Sequence, residues 1–107
     1  MDQLRNILVA ELDKYTGEGA NALVFPVYDD SRQHYALIVV DYPTRQQFAE
    51  AIIIARIVED KIVIEEDMTD KKLVDALLQQ GVPREQIVLA YDNEKAPAPP
   101  IPVVRLK

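Results

Sequence analysis

Two runs of β-branched residues separated by only two polar positions constrain this chain more than any other feature. Residues 52–58 are rich in Ile and Val, Glu59 and Asp60 interrupt the run, and residues 61–65 resume it. β-branched side chains favour extended backbone, and a short polar break between two such runs is typical of an antiparallel hairpin. We therefore predict two strands here. A helix through Phe48 and Ile52 is the open alternative, because helix-favouring residues precede the first run.

Two further strands are predicted upstream of this hairpin. Residues 22–28 are rich in Val, Phe and Tyr, and residues 35–40 form the clearest strand in the chain. The turn-forming cluster at 29–32 between them predicts a second hairpin, in which Asp30 and Arg32 fix the turn. Pro26 has no N–H to donate to a neighbouring strand, so residues 22–28 are predicted to form an edge strand or a bulged strand.

Two helices are predicted, one before and one after these strands, from the helical spacing of apolar residues. Over residues 2–16 the apolar positions fall on one side of an amphipathic helix that Gly17 is predicted to end. A second helix is predicted to start at Thr69 as N-cap, with Asp70 in its first turn, and to stop at Gly81. Residues 82–86 then bend the chain into a short last strand at 87–91. The apolar helical positions are Leu4, Ile7, Leu8, Leu12 and Tyr15 in the first helix, and Leu73, Val74, Leu77 and Leu78 in the second.

These elements predict an α+β fold: an N-terminal helix, a four-stranded antiparallel sheet, a second helix and a short strand, with both helices on one sheet face. The chain of 107 residues suits one domain, which we assign to residues 1–92. Residues 93–107 contain a cluster of prolines, so we predict an extended, polyproline-like tail outside the core.

The charge balance and the absent residue types exclude several classes of function. A net charge of −6 disfavours direct binding to nucleic acid, because phosphate polyanions are repelled. The chain has no cysteine, which excludes a disulfide framework and a thiolate metal site. The longest apolar stretch, 51–55, is too short to span a membrane, and we see no targeting signal at the N-terminus. A cytoplasmic location is the expectation.

The sequence offers no convincing catalytic, cofactor-binding or metal-binding residue. His34 is the only histidine, and it lacks a second ligand or a nucleophile nearby in sequence. Glu65, Glu66 and Asp67 form an acidic cluster whose spacing does not match an EF-hand loop. We therefore predict that the chain is not an enzyme and has no cofactor. The alternative is a small metal-dependent hydrolase, or a nuclease accessory, using Glu65, Glu66 and Asp67 with His34.

Two segments carry a resemblance to a known family. They are residues 28–37 and residues 61–91, and the most specific part is Gly81-Val82-Pro83 followed by Ile87-Val88-Leu89-Ala90 and the aromatic Tyr91. These segments resemble the XisI family, and the resemblance extends from the first helix to Tyr91. It implies an α+β fold of the XisI type.

The resemblance also implies a kind of function. XisI-like proteins are accessory factors of cyanobacteria, named for controlling excision of the fdxN element, a DNA insert removed during heterocyst differentiation. They act alongside a companion protein called XisH and a separate recombinase. By resemblance, we expect this chain to be a regulatory protein with an XisH-like protein partner, contacting it through the exposed sheet edge or the proline-rich tail. A homo-oligomer is left open.

Overall fold

A computed structural model describes residues 3–97 of the chain. The predicted first residues of helix one and the tail from residue 98 onward lie outside this part. The elements in chain order are α1 (Gln3–Asp13), β1 (Gly17–Glu18), β2 (Ala22–Asp29), β3 (His34–Asp41), β4 (Glu50–Val58), β5 (Lys61–Asp67), α2 (Leu73–Gln79) and β6 (Ile87–Leu89). Two 3₁₀ turns, Arg84–Gln86 and Ala90–Asp92, flank β6. The predicted α+β fold class is confirmed.

The strands form one sheet in the order β1-β2-β3-β4-β5-β6. All neighbours are antiparallel except β5 and β6, which are parallel and are joined through α2. The hairpin of β4 and β5 is confirmed and the helical alternative is wrong: Val58 pairs with Lys61 across a two-residue turn. Both turn residues have positive φ, 52° at Glu59 and 62° at Asp60, the backbone of a tight hairpin turn that follows the twist of the strands.

The described part of the sheet has one strand more than the sequence predicted. Gly17 does not end α1, which stops at Asp13; Gly17 instead begins β1, with a φ of 134° that favours glycine. Two residues are too few to produce a recognisable alternating pattern, which is why β1 escaped prediction. β1 pairs only with Leu23 and Val24 of β2. Among the described residues, nothing pairs with the outer edge of β2 around Pro26, in agreement with the predicted edge character.

Both helices pack against the same face of the sheet. Leu8 and Leu12 of α1 and Leu73 and Leu77 of α2 are fully buried there. Their spacing of four residues places each pair on one side of its helix. Side chains from the central strands complete this core: Tyr35, Leu37, Ile53, Ala55, Ile57, Ile62, Ile64 and Ile87, with Val82 from the preceding loop.

The start of α2 differs from its prediction. Thr69 is not the N-cap and Asp70 is not in the first turn, because the helix begins at Leu73 after Lys72, whose side chain makes no cap hydrogen bond. Asp67 takes this role from the end of β5: its Oδ2 accepts from the backbone N of Leu73 at 2.7 Å. Its Oδ1 accepts from the backbone N and the hydroxyl of Thr69 at 2.9 and 2.6 Å. One buried carboxylate thus replaces an ordinary N-cap.

The end of α2 follows its prediction. Gly81 has a φ of 92°, and its N–H donates to the carbonyl of Leu78 at 3.0 Å. The N–H of Val82 donates to the carbonyl of Leu77 at 3.1 Å, which completes a Schellman motif. Glycine is favoured at this left-handed position because a side chain there would be strained.

The turn between β2 and β3 is held mainly by Asp29 rather than by Asp30. The carboxylate of Asp29 accepts from the backbone and side chains of Ser31 and Arg32 at 2.7–3.2 Å. Ser31 and Arg32 hydrogen bonds hold the pKa of Asp29 at about 2. Asp30 makes a different contact: its carboxylate accepts hydrogen bonds from Nε and Nη2 of Arg5 and from the hydroxyl of Tyr35, each at 2.9 Å. The Arg5 contact ties the turn to α1.

Tyr35 makes stability sensitive to alkaline pH. Burial, and then its hydrogen bond to Asp30, raise the pKa of Tyr35 from 10.0 to about 12. A raised tyrosine pKa contributes stability that is fully present below the unfolded pKa of 10.0 and is lost as pH rises towards 12. Between pH 10 and pH 12 we expect the Tyr35→Phe variant to lose less unfolding free energy than the unmodified chain does. Urea titrations on both sides of pH 10 measure it; equal losses in the two proteins would contradict the prediction.

Candidate interaction surface

The two faces of the sheet differ in what covers them. The helices cover one face, and we call the other the open face. Strand register places alternate residues of β2, β3 and β4 on the open face, where Phe25 lies opposite Ile38, Val27 opposite Ala36, and Ala36 opposite Ile54. We call these five residues the apolar patch. Phe25, Val27 and Ile54 are 38%, 52% and 39% exposed, so the patch is a contiguous hydrophobic surface across three strands.

The sequence contains a signal for this surface. A sheet covered on one face normally alternates apolar and polar residues, whereas strands buried on both faces are apolar at nearly every position. Residues 35–40 and 52–54 are apolar throughout, although α1 and α2 cover only one side of them. Apolar side chains on the open face are therefore in excess of what the fold of the described residues buries. The lack of polar alternation within these strands could have revealed the excess of apolar side chains. Which sheet face the helices cover, however, could not be identified without knowing how the helices pack.

A shallow concavity of about 270 Å³ indents the open face beside the apolar patch. Its walls are mainly aliphatic, from Val27, Ala36 and Ile54, while His34 and Arg56 lie at its end. His34 pairs with Arg56 across β3 and β4 and does not lie among the acidic residues of β5. This arrangement suits the burial of apolar side chains from a binding segment with polar groups at one end.

Arg56 is the main polar group of the open face. Its side chain is 12% exposed, and its Nε donates to Glu65 at 2.7 Å. Its Nη2 donates to the carbonyl of Pro97 at 3.1 Å. Its Nη1 is buried and has no hydrogen-bond partner among residues 3–97. A buried guanidinium N–H without an acceptor costs free energy, so Arg56 retains the capacity for one more hydrogen bond.

The described part of the tail lies against the fold. Glu94 accepts from Arg84 at 2.6 Å and from the backbone N of Leu89 at 2.9 Å, and these contacts lower its pKa. Pro97 reaches Arg56 on β4. The division at residue 92 stays a prediction, and three residues on the tail side of it, Asn93, Glu94 and Pro97, make hydrogen bonds to the rest of the chain.

The predicted acidic cluster is not assembled as a metal site. Asp67 lies on the helix side, where its carboxylate holds the start of α2, whereas Glu65 pairs with Arg56 and Glu66 lies opposite Ile54. A β-bulge separates them: Ile64 and Glu66 pair with the consecutive residues Ala55 and Ile54, so Glu65 is an extra residue, and Asp67 opposite Ile53 lies on the helix side. Within residues 3–97, no group of three His, Asp or Glu side chains could hold a metal ion. None of the helices described is long and apolar enough to cross a membrane.

Divalent cations should leave the stability of the protein unchanged. A specific site would raise the melting temperature through preferential binding to the folded state, whereas scattered carboxylates respond only to ionic strength. We expect the protein to have the same melting temperature in Mg²⁺, Mn²⁺ or Ca²⁺ as in NaCl of matched ionic strength. The Glu65→Gln variant should likewise show no difference between the divalent salts and NaCl. A saturable increase that Glu65→Gln removes would contradict this expectation.

A larger groove, of about 610 Å³, lies between α1 and α2. Charged side chains of both signs line it, and several are already engaged: Lys14 pairs with Glu11 at 2.9 Å, and the Tyr15 hydroxyl donates to the carbonyl of Lys71 at 2.6 Å. The Tyr15 contact links the segment after α1 to the loop before α2. Charged side chains dominate the lining of the groove, whereas aliphatic side chains dominate that of the open-face concavity, so the open face is the better candidate for a binding surface.

Comparisons with known proteins agree with the fold. A family model described as XisI protein matches residues 1–98. The crystal structure of a XisI-like protein from Anabaena variabilis ATCC 29413 is similar at 26% identity with a TM-score of 0.63, covering 80% of this chain and 78% of that one. The structure of the fdxN element excision controlling factor XisI from the same organism shares the fold at 24% identity with a TM-score of 0.64, covering 82% and 88%. No curated protein matches the chain.

Proposed function

Because this chain belongs to the XisI family, we propose that it is a non-enzymatic accessory protein that acts by binding a protein partner on its open face. The partner is an XisH-like protein, and the pathway is excision of a DNA element or a related step of DNA processing in the cytoplasm. One solved relative with the same fold is named an excision controlling factor, which supports the pathway.

The apolar patch is the observation that carries this proposal. Phe25, Val27 and Ile54 are exposed side by side on a rigid sheet, and water-exposed apolar area of this kind is stabilised by burial against another surface. The neighbouring outer edge of β2 adds unpaired backbone groups that an extended segment of a partner can bond. A rigid surface loses little conformational entropy on binding, which favours affinity.

Charge supports a protein partner over direct contact with DNA. The chain carries a net charge of −6, so phosphate groups are repelled rather than concentrated near it. An accessory protein in DNA processing with this charge works through the protein that does bind DNA. A basic DNA-processing partner would be attracted at long range by the same acidic field.

Co-purification tests the proposal. The full chain and an XisH-like protein from the same genome are expressed together, with an affinity tag on the partner only. We expect a stable complex of defined stoichiometry by size-exclusion chromatography with light scattering. Absence of a complex, or a complex that survives charge introduced into the apolar patch, would overturn the assignment of this surface.

A further inference from the structure

We propose that the loop between β3 and β4 makes a second contact with the partner, in which Phe48 inserts into an apolar pocket on the partner's surface. The loop comprises residues 42–49, between Asp41 at the end of β3 and Glu50 at the start of β4. The inference deepens the proposed function and rests on it for the protein that supplies the pocket. The partner then engages the open face and this loop together.

Phe48 is far more exposed than any other large apolar side chain that the structure describes. It is 97% exposed, whereas the other exposed large apolar residues within 3–97 are 38–53% exposed. Single apolar residues are common on protein surfaces, but an aromatic side chain left almost wholly in water contributes little packing to the fold. Its burial against a second protein is favourable because the ring then leaves water.

Asp41 holds the loop that carries Phe48. The Oδ2 atom of Asp41 accepts from the backbone N–H of Gln46 at 2.9 Å and from that of Gln47 at 2.8 Å. The backbone is therefore fastened up to the residue before Phe48. A loop that is already ordered loses less conformational entropy on binding than a free one, which favours affinity. Asp41 is thus a positioning residue for Phe48.

The loop adjoins the apolar patch. Strand register places Phe25, Ile38 and Ala51 in one row across β2, β3 and β4. This row lies at the end of the sheet where the loop joins β3 to β4, and Ala51 follows Phe48 by three residues. Three residues of extended chain span about 10 Å, so a partner that covers this row is within reach of Phe48.

The composition of the loop indicates the kind of pocket that receives Phe48. Arg45 is the one charged residue of the loop sequence, and Gln46 and Gln47 directly precede Phe48. Glutamine amides can donate and accept hydrogen bonds at the polar rim of an interface. A basic side chain beside the pocket would be repelled by Arg45. The matching pocket has apolar walls and a polar rim that is neutral or acidic.

Fluorine NMR on the full chain tests the proposal. The chain contains two phenylalanines, Phe25 on the apolar patch and Phe48 on the loop, so incorporation of para-fluorophenylalanine gives one signal for each surface. The Phe48→Ala variant assigns the two signals. We expect both signals to shift when the unlabelled XisH-like protein is added, and both to lose the dependence on D₂O that marks exposure to solvent.

A double-mutant cycle followed by isothermal titration calorimetry measures the contribution of the loop. Phe48→Ala should weaken binding of the XisH-like protein about 30-fold, as expected of a residue that dominates an interface. Its melting temperature should not change, because Phe48 is exposed. Asp41→Ala should weaken binding about 5-fold, and less than about 2-fold in the Phe48→Ala background, because it acts through Phe48. The control Leu78→Ala, an exposed apolar residue of α2, should leave the affinity unchanged.

Two results would overturn the contact by Phe48: a Phe48 signal that does not shift when the complex forms, or a Phe48→Ala variant that binds as tightly as the unmodified chain. An Asp41→Ala effect of undiminished size in the Phe48→Ala background would overturn the positioning role of Asp41. A Phe48 signal that shifts alone supports the loop contact and removes the open face from the proposed function. Absence of any complex with the unmodified chain removes the proposed function and this contact together.

Discussion

Replacing Asp67 by alanine should lower the free energy of unfolding by about 3 kcal/mol, because three donors lose one buried charged acceptor. Asp67 is 5% exposed, and its two oxygens accept from Leu73 and twice from Thr69. Domains of this size are commonly stable by about 5–15 kcal/mol, so the expected loss is a large part of the total. Guanidinium unfolding followed by circular dichroism measures it.

The control for this prediction is Asp70→Ala. Asp70 is exposed and lies in the same loop, but it makes no contact with the backbone of α2 comparable to that of Asp67. Its replacement should change stability by less than about 0.5 kcal/mol. Similar losses for the two variants would mean that acidity of the loop, rather than the hydrogen bonds of Asp67, stabilises the start of α2.

Replacing Ile54 by aspartate should weaken binding of the XisH-like partner by about 100-fold or more. A carboxylate on the apolar patch would lose its hydration when the partner covers it, and a desolvated charge opposes binding. Isothermal titration calorimetry with the full chain measures the change. Circular dichroism establishes that the variant is folded, as we expect because Ile54 is already partly exposed.

Leu78→Asp is the matched control for Ile54→Asp. Leu78 in α2 is 40% exposed against 39% for Ile54, so both changes place the same charge at an equally exposed apolar position on different elements. We expect Leu78→Asp to bind the partner with nearly unchanged affinity. If Leu78→Asp weakens binding as much as Ile54→Asp, the partner does not use the open face selectively. If only Leu78→Asp weakens it, the surface beside α2 is the interface.

The hairpin of β4 and β5 shows how far local sequence determined the fold. β-branched residues and a two-residue polar break both act between near neighbours, so they can be evaluated without a three-dimensional structure. The same holds for Gly81, whose left-handed backbone requires a residue without a side chain. The resemblance to the XisI family added the expected fold and the expected kind of partner.

Asp67 shows where local reasoning failed. Thr69 and Asp70 stand at the sequence distance of an N-cap and a first helical turn, yet the carboxylate that holds α2 comes from the end of β5, six residues before Leu73. That contact exists only after the strand and the helix have packed together. The acidic cluster was divided for a related reason, because the β-bulge at Glu65 placed Asp67 on the helix side while Glu65 met Arg56 on β4.

The sequence by itself determined the two helices, the four main strands, the end of α2 at Gly81 and the family, because these depend on short-range periodicity, turn residues and motif spacing. Tertiary structure alone decided which sheet face the helices cover, where the tail meets Arg56, and that Phe25, Val27 and Ile54 lie together. The reason is physical: an apolar run is equally favourable on either face until long-range packing buries one of them and leaves the other exposed.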